Sequence, residues 1–286
     1  MSPKKAGETP LHSFFLGDTP SPFPLRILNS PSRYASRAMD LGLQGRTAIV
    51  LGASQGMGLA ISEALAGEGA NVAMFARRAE VVERESARIG ALAVPGDLTQ
   101  AADLERLVTA TVETFGGIDI VVLNGGGPAP GAAADVTAES VAAAVELLLV
   151  PHVRLVALCL PHLRTSGRGR VIAIESTSVK EPIANLALSN AVRPGVVGWL
   201  KTLARELGPD GITVNTIAPG RIDTERLRSL YGADGLPPEL LAQIPARRAG
   251  SAAEIAATAC FLASEQAAYI SGTVVPVDGG MLNGLF

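Results

Sequence analysis

Short apolar runs alternate with longer amphipathic runs along the chain from Gln44 onward. Apolar runs without polar alternation are typical of strands that are buried on both faces of a parallel sheet. The pattern predicts strands at 47–51, 71–75, 91–94, 119–123, 170–175, 212–217 and 273–276, and helices near 57–67, 79–88, 101–115, 138–163, 189–207 and 252–263. This order predicts an α/β fold: a single doubly wound, Rossmann-type domain whose seven-stranded parallel sheet has helices on both faces.

Residues 1–42 do not share this pattern and hold six of the nineteen prolines. A disordered or loosely draped extension is one interpretation of such a segment. An ordered arm that packs on a neighbouring subunit is the other, because apolar residues such as Phe14, Phe15 and Phe23 exceed what a solvated tail needs. A targeting peptide is less favoured, since these peptides avoid acids. The domain itself is expected over residues 43–286.

Composition narrows the class of protein. A chain of 286 residues that is 48% hydrophobic and 18% charged can bury a large core as one domain. A net charge of -3 predicts neither a nucleic-acid partner nor an anionic membrane. Two cysteines, Cys159 and Cys260, suit buried free thiols, and no metal-ligand spacing is evident. No uninterrupted apolar stretch reaches about 18 residues, so a cytoplasmic protein is expected.

A glycine-rich turn lies where the first strand passes into the first helix. Gly52 suits a tight turn, Gly56 lets the backbone approach a pyrophosphate, and Gly58 lets the helix pack closely on the strand. The spacing is Gly-x-x-x-Gly-x-Gly. Taken alone it also fits an ordinary strand-to-helix turn, so the turn needs support from the rest of the chain.

Further motifs supply that support. They follow in order: Gly96-Asp97-Leu98-Thr99, Leu123-Asn124-Gly125-Gly126, Gly169-Arg170-Val171-Ile172, Val214-Asn215, Ala218-Pro219-Gly220, Ser271-Gly272 and Val277-Asp278-Gly279-Gly280. In residues and spacing the chain resembles the classical short-chain dehydrogenase/reductase family over nearly everything after residue 43. The resemblance implies hydride transfer between a nicotinamide cofactor and a small-molecule carbonyl or alcohol.

The resemblance also implies which residues bind the cofactor. They are Gly52, Ser54, Gln55, Gly56, Met57, Gly58, Arg77, Arg78, Asp97, Leu98, Asn124, Gly126, Arg193, Pro219, Gly220, Ile222 and Thr224. Asp97 would accept from the adenine amino group, or else cap the helix that begins near Thr99. Asn124 and Gly126 would lie beside a ribose, and Pro219 to Thr224 would hold the nicotinamide end.

Charge at the end of the second strand favours NADP(H) over NAD(H). NAD-selective sites place an acid there to accept from the ribose hydroxyls, but here that position is Ala76, followed by Arg77 and Arg78. The planar fork of arginine suits a 2′-phosphate. Gln55 stands where many NADP-selective relatives carry a further basic residue. Ordinary surface charge is the alternative interpretation of the arginine pair.

The catalytic positions depart from the family pattern of Ser, Asn and Tyr-x-x-x-Lys. Ser176 matches the family serine, whereas Ser189 stands at the tyrosine position and Arg193 at the lysine position. Leu148 stands where the asparagine would be. The predicted catalytic residues are therefore Ser176, Ser189 and Arg193, in a Ser-x-x-x-Arg variant of the motif.

This variant changes the chemistry, because an aliphatic hydroxyl is a far poorer general acid than a phenol. Arg193 keeps its proton and would bind ribose, stabilise an oxyanion or hold a substrate carboxylate. Four residues are candidates to help with the proton: Lys180, Glu175, His152 and Tyr231. Each also has a structural interpretation, respectively a solvated loop charge, an ion-paired strand-end residue, a helix-face residue and a packing residue of the substrate loop.

Residues 221–250 correspond to the variable substrate loop of the family, and are either a lid over a hydrophobic or carboxylate-bearing substrate or ordinary packed helices. The expected function is an NADP(H)-dependent oxidoreductase with an atypical proton relay. The alternatives are a cofactor-binding protein with little catalysis and a non-redox lyase or isomerase. Helices 138–163 and 189–207 are apolar on more than one face, which predicts a homo-oligomer, a tetramer or a dimer.

Overall fold

The computed structural model describes residues 39–232 and 235–285. The predicted N-terminal extension falls almost entirely outside these residues. Within them the chain forms one compact unit that starts at Asp40. Leu41 already packs against the apolar core, and its carbonyl accepts from the backbone N–H of Glu265 at 3.2 Å. The domain therefore begins a few residues before the predicted boundary at residue 43.

The seven predicted strands form one parallel sheet. They are β1 (Thr47–Leu51), β2 (Asn71–Ala76), β3 (Leu92–Pro95), β4 (Ile120–Asn124), β5 (Arg170–Ile174), β6 (Thr213–Pro219) and β7 (Val274–Val277). Their order across the sheet is β3-β2-β1-β4-β5-β6-β7, and every neighbouring pair is parallel. The prediction of a doubly wound Rossmann-type domain is confirmed.

Helices connect the strands. They are α1 (Gly56–Gly67), α2 (Ala79–Ile89), α3 (Ala101–Phe115), α4 (Ala138–Leu148), α5 (Val150–Ser166), α6 (Ala187–Leu207), α7 (Glu225–Tyr231), α8 (Pro238–Leu241) and α9 (Ala252–Ala263). The single helix predicted over 138–163 is wrong in one respect, since α4 and α5 are separate helices that meet at Leu149. Pro151 lies in the first turn of α5, where its missing N–H costs no helical hydrogen bond.

Two apolar layers cover the sheet. Successive residues of β1 point to opposite faces, so Ala48 and Val50 join one buried cluster while Ile49 and Leu51 join the other. Helices α1 and α9 supply the first layer, and helices α3, α5 and α6 supply the second. Burial on both faces explains why the strands read as continuous apolar runs in the sequence.

The strand order reverses between β1 and β4, because the chain moves outward from β1 through β2 to β3 and then returns to the other side of β1. In open α/β sheets the loops at this switch point separate and leave a crevice beyond the carboxyl ends of the strands. The glycine-rich turn after β1, the loop that follows Asn124, Ser176 after β5 and Gly220 after β6 all lie at that edge.

Helices α4 and α5 form the longest apolar helical stretch among the described residues. Together they cover 29 residues and are long and apolar enough to cross a membrane by length and composition alone. Their apolar residues are shared between two faces, however. Leu155, Cys159 and Leu163 pack against the sheet, as in a core helix, while Val141 and Val153 remain 37% and 38% exposed.

We expect the exposed apolar face of α4 and α5 to be covered by a second copy of the chain. Val141→Glu combined with Val153→Glu should lower the mass of the oligomer measured by light scattering, because a buried charge without a partner is costly. Val81→Glu on α2, at the opposite edge of the sheet, is the matched control and should leave the mass unchanged. A monomeric wild-type protein at micromolar concentration would contradict the prediction.

Candidate active site

A cleft of about 190 Å³ opens at the carboxyl edge of β4, β5 and β6. Its walls come from the glycine-rich turn, the loops after these three strands, and helices α6 and α7. The lining residues are Met57, Asn124, Gly125, Gly126, Gly127, Pro128, Ile174, Glu175, Ser176, Leu186, Ser189, Arg193, Pro219, Gly220, Ile222, Thr224, Arg226 and Leu227. The cleft occupies the crevice that the switch point of the sheet leaves open.

All three predicted catalytic residues, Ser176, Ser189 and Arg193, line this cleft. The predicted cofactor residues divide into two groups. Met57, Asn124, Gly126, Arg193, Pro219, Gly220, Ile222 and Thr224 line the cleft. Gly52, Ser54, Gln55, Gly56, Gly58, Arg77, Arg78, Asp97 and Leu98 lie outside its lining, in the turn before α1 and in the segments after β2 and β3.

The two ends of the glycine-rich turn, Gly52 and Gly58, pack closely against each other. A Cβ atom added at Gly58 would lie 2.2 Å from the carbonyl oxygen of Gly52, so the close packing predicted for Gly58 is present. Gly52 itself has φ +61, and Asn124 fixes the turn from β4 by donating to the carbonyl of Leu51 at 3.0 Å. Any larger residue at Gly58 would push α1 away from β1.

The N-terminus of α1 suits an anion. Gln55 is its N-cap residue, no side chain caps its free N–H groups, and its first turn holds no acid. Helices α2, α3, α5, α6 and α8 also lack a side-chain cap, whereas α4, α7 and α9 are capped by a Thr or Ser side chain. The glycine-rich turn before α1 is what distinguishes its N-terminus from the other uncapped ones. Free N–H groups at the positive end of a helix dipole bind phosphate. This end of α1 therefore fits the diphosphate of a dinucleotide.

The arginine pair lies beside that turn. Arg77 and Arg78 are exposed after the buried Ala76, and Arg78 donates to the side-chain oxygen of Gln55. The Asp97 side chain bonds to a neighbouring residue. Its Oδ1 accepts from both the backbone N–H and the hydroxyl of Thr99, each at 2.9 Å. Helix α3 begins at Ala101 with Gln100 as its N-cap and no side-chain cap, so Asp97 closes a local turn before the helix and does not cap it.

Leu98 and Thr224 also have local contacts. Leu98 packs against the apolar layer of α3, α5 and α6. Thr224 is the N-cap of α7, where its hydroxyl accepts from the backbone N–H of Leu227 at 3.4 Å. Residues Arg226 and Leu227 of α7 line the cleft next to this cap.

Arg193 forms hydrogen bonds to three separate elements at the floor of the cleft. Its guanidinium donates to three acceptors: Ser189 Oγ at 3.0 Å, Glu175 Oε2 at 2.8 Å and the carbonyl of Gly126 at 3.1 Å. Ser189 lies four residues earlier on α6, which places it one turn away on the same face. Glu175 follows directly after β5, and Gly126 lies in the loop after β4. One side chain therefore fixes three separate elements of the site.

Glu175 and His152 form a buried titratable pair behind the cleft. His152 Nδ1 lies 4.0 Å from Glu175 Oε1, which is too long for a hydrogen bond. Among the described residues neither ring nitrogen of His152 nor Oε1 of Glu175 has a partner. Burial, assisted by the charge of Arg193, lowers the pKa of His152 to about 3. Burial also raises the pKa of Glu175, against the opposing pull of Arg193.

Hydroxyl groups complete the floor of the cleft. Ser176 Oγ accepts from the backbone N–H of Ser178 at 3.1 Å, and the hydroxyls of Ser178 and Ser189 lie 3.3 Å apart. Because Ser189 already accepts from Arg193, its hydroxyl hydrogen is free to donate to Ser178 or to a substrate oxygen. Leu148 is buried against Ala144 and Val192, so its side chain brings no polar group to the site.

The match to known proteins covers most of the chain. A family model of the short-chain dehydrogenases, described as enoyl-(acyl carrier protein) reductase, matches residues 52–282. The chain belongs to the short-chain dehydrogenase/reductase family.

Named relatives and solved structures agree with this assignment. The chain is 36% identical over 236 residues to the 3-oxoacyl-[acyl-carrier-protein] reductase MabA of Mycobacterium tuberculosis, covering 82% of this chain and 92% of that protein. It is 35% identical to the corresponding reductase FabG of Vibrio cholerae, covering 84% and 99%. The structure of L-sorbose reductase from Gluconobacter frateurii, complexed with NADPH and L-sorbose, superposes with a TM-score of 0.81 at 32% identity, covering 86% and 100%.

A second solved structure is YwfH, described as an NADPH-dependent reductase involved in bacilysin biosynthesis. It superposes with a TM-score of 0.80 at 28% identity and covers 84% of this chain and 99% of that one. These proteins are oxidoreductases, as the sequence predicts for this member of the family.

The four residues that could exchange the proton in place of the family's tyrosine fall into two groups in the structure. Lys180 is exposed and Tyr231 is 43% exposed at the end of α7, and both lie outside the lining of the cleft. Glu175 lines the cleft and His152 lies behind it. The sequence analysis did not single out Arg226, which lines the cleft from α7, and its only signal there was its position in the substrate loop.

The buried His152 makes the stability of the fold depend on pH. Its pKa is about 3 in the folded state against 6.5 for a free histidine, so the unfolded chain binds the proton more readily. The stabilisation is therefore complete above pH 6.5 and is lost as pH falls towards 3, by up to about 1.4 kcal/mol per pH unit. Urea titrations from pH 7.5 to 4 should show this loss.

His152→Phe removes this contribution and should flatten the loss of stability at acid pH. The raised pKa of Glu175 acts in the opposite direction, because the stabilisation it contributes at low pH disappears as pH rises through its folded value. Both proteins retain Glu175, so the difference between their curves reports the histidine. Parallel curves across the whole pH range would show that His152 does not control acid stability.

Proposed function

We propose that this protein is an NADP(H)-dependent oxidoreductase that moves a hydride between the cofactor and the carbonyl or alcohol group of a small molecule. One observation carries the proposal. The three residues expected to handle the substrate oxygen, Ser176, Ser189 and Arg193, line the same cleft as the residues expected at the nicotinamide end of the cofactor. The NADPH named for two structural relatives supports the choice of cofactor.

The residues around the turn before α1 fit this cofactor. The uncapped N-terminus of α1 would hold the diphosphate, and Arg77 and Arg78 would face the 2′-phosphate. Pro219, Gly220, Ile222 and Thr224 would hold the nicotinamide end over the cleft. The bound cofactor supplies or accepts the hydride.

The chain's own residues would stabilise the oxygen on which negative charge develops. The Ser176 and Ser189 hydroxyls donate to that oxygen, and the fixed charge of Arg193 stabilises it electrostatically. Arg193 also orients Ser189, since its Nε–H occupies one lone pair of the serine oxygen at 3.0 Å. This arrangement replaces the family's tyrosine and lysine with a neutral donor beside a permanent cation.

A serine does not release a proton near neutral pH, so another group must exchange it. Glu175 is the acid that lines the cleft, and burial raises its pKa above the usual value of a carboxyl group, against the opposing charge of Arg193. During reduction Glu175 would be the source of the proton for the substrate oxygen, and during oxidation it would take that proton back. Because its side chain is fully buried, a water molecule would have to carry the proton between Glu175 and the substrate. His152 stays neutral behind Oε1, so it adds no charge that would compete for this proton.

The first test of the proposal is cofactor preference. NADPH should bind at least tenfold more tightly than NADH, a difference of about 1.4 kcal/mol, and Arg77→Ala combined with Arg78→Ala should remove that preference. Fluorescence titration measures both affinities. Arg84→Ala, an exposed arginine of α2 that pairs with Glu85, is the control and should keep the preference. Equal affinities of the wild-type protein for NADPH and NADH would refute the predicted preference.

The second test is turnover of a ketone or aldehyde found by screening with NADPH. Ser176→Ala and Arg193→Ala should each lower kcat by about 10² or more, the effect of losing one oxyanion contact, and Ser189→Ala should matter less. Glu175→Gln keeps an acceptor for Arg193 but cannot exchange a proton. It should therefore lower kcat for reduction and remove the alkaline limb of its pH profile, where the wild-type rate falls as Glu175 loses its proton.

Ser189→Tyr combined with Arg193→Lys restores the family pair and gives a converse test. It should raise generic carbonyl reduction if the geometry of the cleft is preserved. If NADPH binds tightly and no carbonyl in the screen turns over, the reductase proposal fails. The cofactor-binding or non-redox alternatives then take its place.

A further inference from the structure

The charge of the cleft is unbalanced. Among its described lining residues only Glu175, Arg193 and Arg226 are charged, and Glu175 is already bound to Arg193. Arg226 extends from α7, and its best contact is a marginal one to the carbonyl of Gly127 at 3.5 Å. No carboxylate among the described residues pairs with it, so the cleft holds one cation more than its protein anions can balance.

Arg226 differs in this respect from other arginines of the substrate loop. Arg228 forms two hydrogen bonds to Asp223, at 3.0 and 2.9 Å, and Arg248 forms two to Glu254, at 2.9 and 2.6 Å. Both guanidinium groups are therefore paired with a carboxylate at the surface of the protein. Arg226, two residues before Arg228 on the same short helix, is directed at the cleft instead.

Two guanidinium groups meet at this place. Arg193 reaches the carbonyl of Gly126 and Arg226 reaches that of Gly127, so they approach consecutive residues of one loop from opposite walls. Partial burial and the nearby charge of Arg193 both lower the pKa of Arg226. A bound anion would relieve this repulsion, and a carboxylate matches the fork of a guanidinium with two parallel hydrogen bonds.

We propose that Arg226 binds a carboxylate of the substrate, so that the compound reduced or oxidised in this cleft is an oxo acid or a hydroxy acid. This inference rests on the proposed reductase function and names its substrate class. The reacting oxygen would lie at Ser176, Ser189 and Arg193, and the carboxylate would lie towards α7.

The diphosphate of the cofactor is the other source of a suitable anion. The position of Arg226 favours the substrate. The diphosphate has its own place at the uncapped N-terminus of α1, where Gly56 lies against Thr224. Arg226 crosses from α7 to Gly127, beside the cation expected to hold the reacting oxygen.

A binding experiment tests the inference independently of turnover. The probes are 3-phenylpropanoate and 3-phenylpropanamide, which match in shape and differ in charge, titrated by calorimetry into protein loaded with NADP⁺. The acid should bind the wild-type protein at least tenfold more tightly than the amide. Arg226→Ala should reduce this preference to less than twofold, Arg226→Lys should keep part of it, and the matched control Arg228→Ala should keep all of it.

Three results would overturn the inference: equal binding of acid and amide to the wild-type protein, no measurable binding of the acid, or an acid preference that survives Arg226→Ala. If that variant instead weakens NADP⁺ binding tenfold while the acid preference remains, Arg226 serves the cofactor diphosphate. If neither NADPH nor NADH binds, the proposed function is refuted. The inference about Arg226 is still tested in that case, because the acid and the amide can also be compared on cofactor-free protein.

Discussion

The ion pair between Glu175 and Arg193 holds the candidate site together. Its atoms approach to 2.8 Å, and the Glu175 side chain is fully buried. Removing one partner of such a pair leaves an uncompensated charge in the interior, which costs about 3–5 kcal/mol. The same guanidinium also fixes Ser189 and the loop after β4, so the shape of the cleft and its electrostatics depend on one interaction.

This pair also explains how the family's proton machinery can be replaced. In the usual arrangement a lysine lowers the pKa of a neighbouring tyrosine, and that phenol exchanges the proton. Arginine cannot lose its charge, and serine cannot readily lose its proton. Positive charge and proton exchange must therefore be divided between two groups. Here a buried carboxyl lies directly on the arginine and lines the cleft, with a raised pKa.

Periodicity predicted the sheet well because burial on both faces makes most strand residues apolar, and short apolar runs separated by helical patterns have few other structures open to them. Periodicity did not predict the details that depend on packing. The apolar pattern continues through Leu149, and Pro151 in the first turn of α5 is the signal in the sequence that marked the break between α4 and α5. Helix α7, of seven residues, is too short to show a helical period.

Sequence by itself determined the fold, the glycine-rich turn and the positions of Ser176, Ser189 and Arg193, because these follow from local pattern and from motif spacing along one chain. Only the tertiary structure decided what Arg193 bonds to. Its partners Glu175 and Gly126 lie 18 and 67 residues away in sequence. Residues that distant meet only because parallel strands end at one edge of the sheet, and their burial, which sets the pKa of Glu175 and of His152, exists only once the layers have packed.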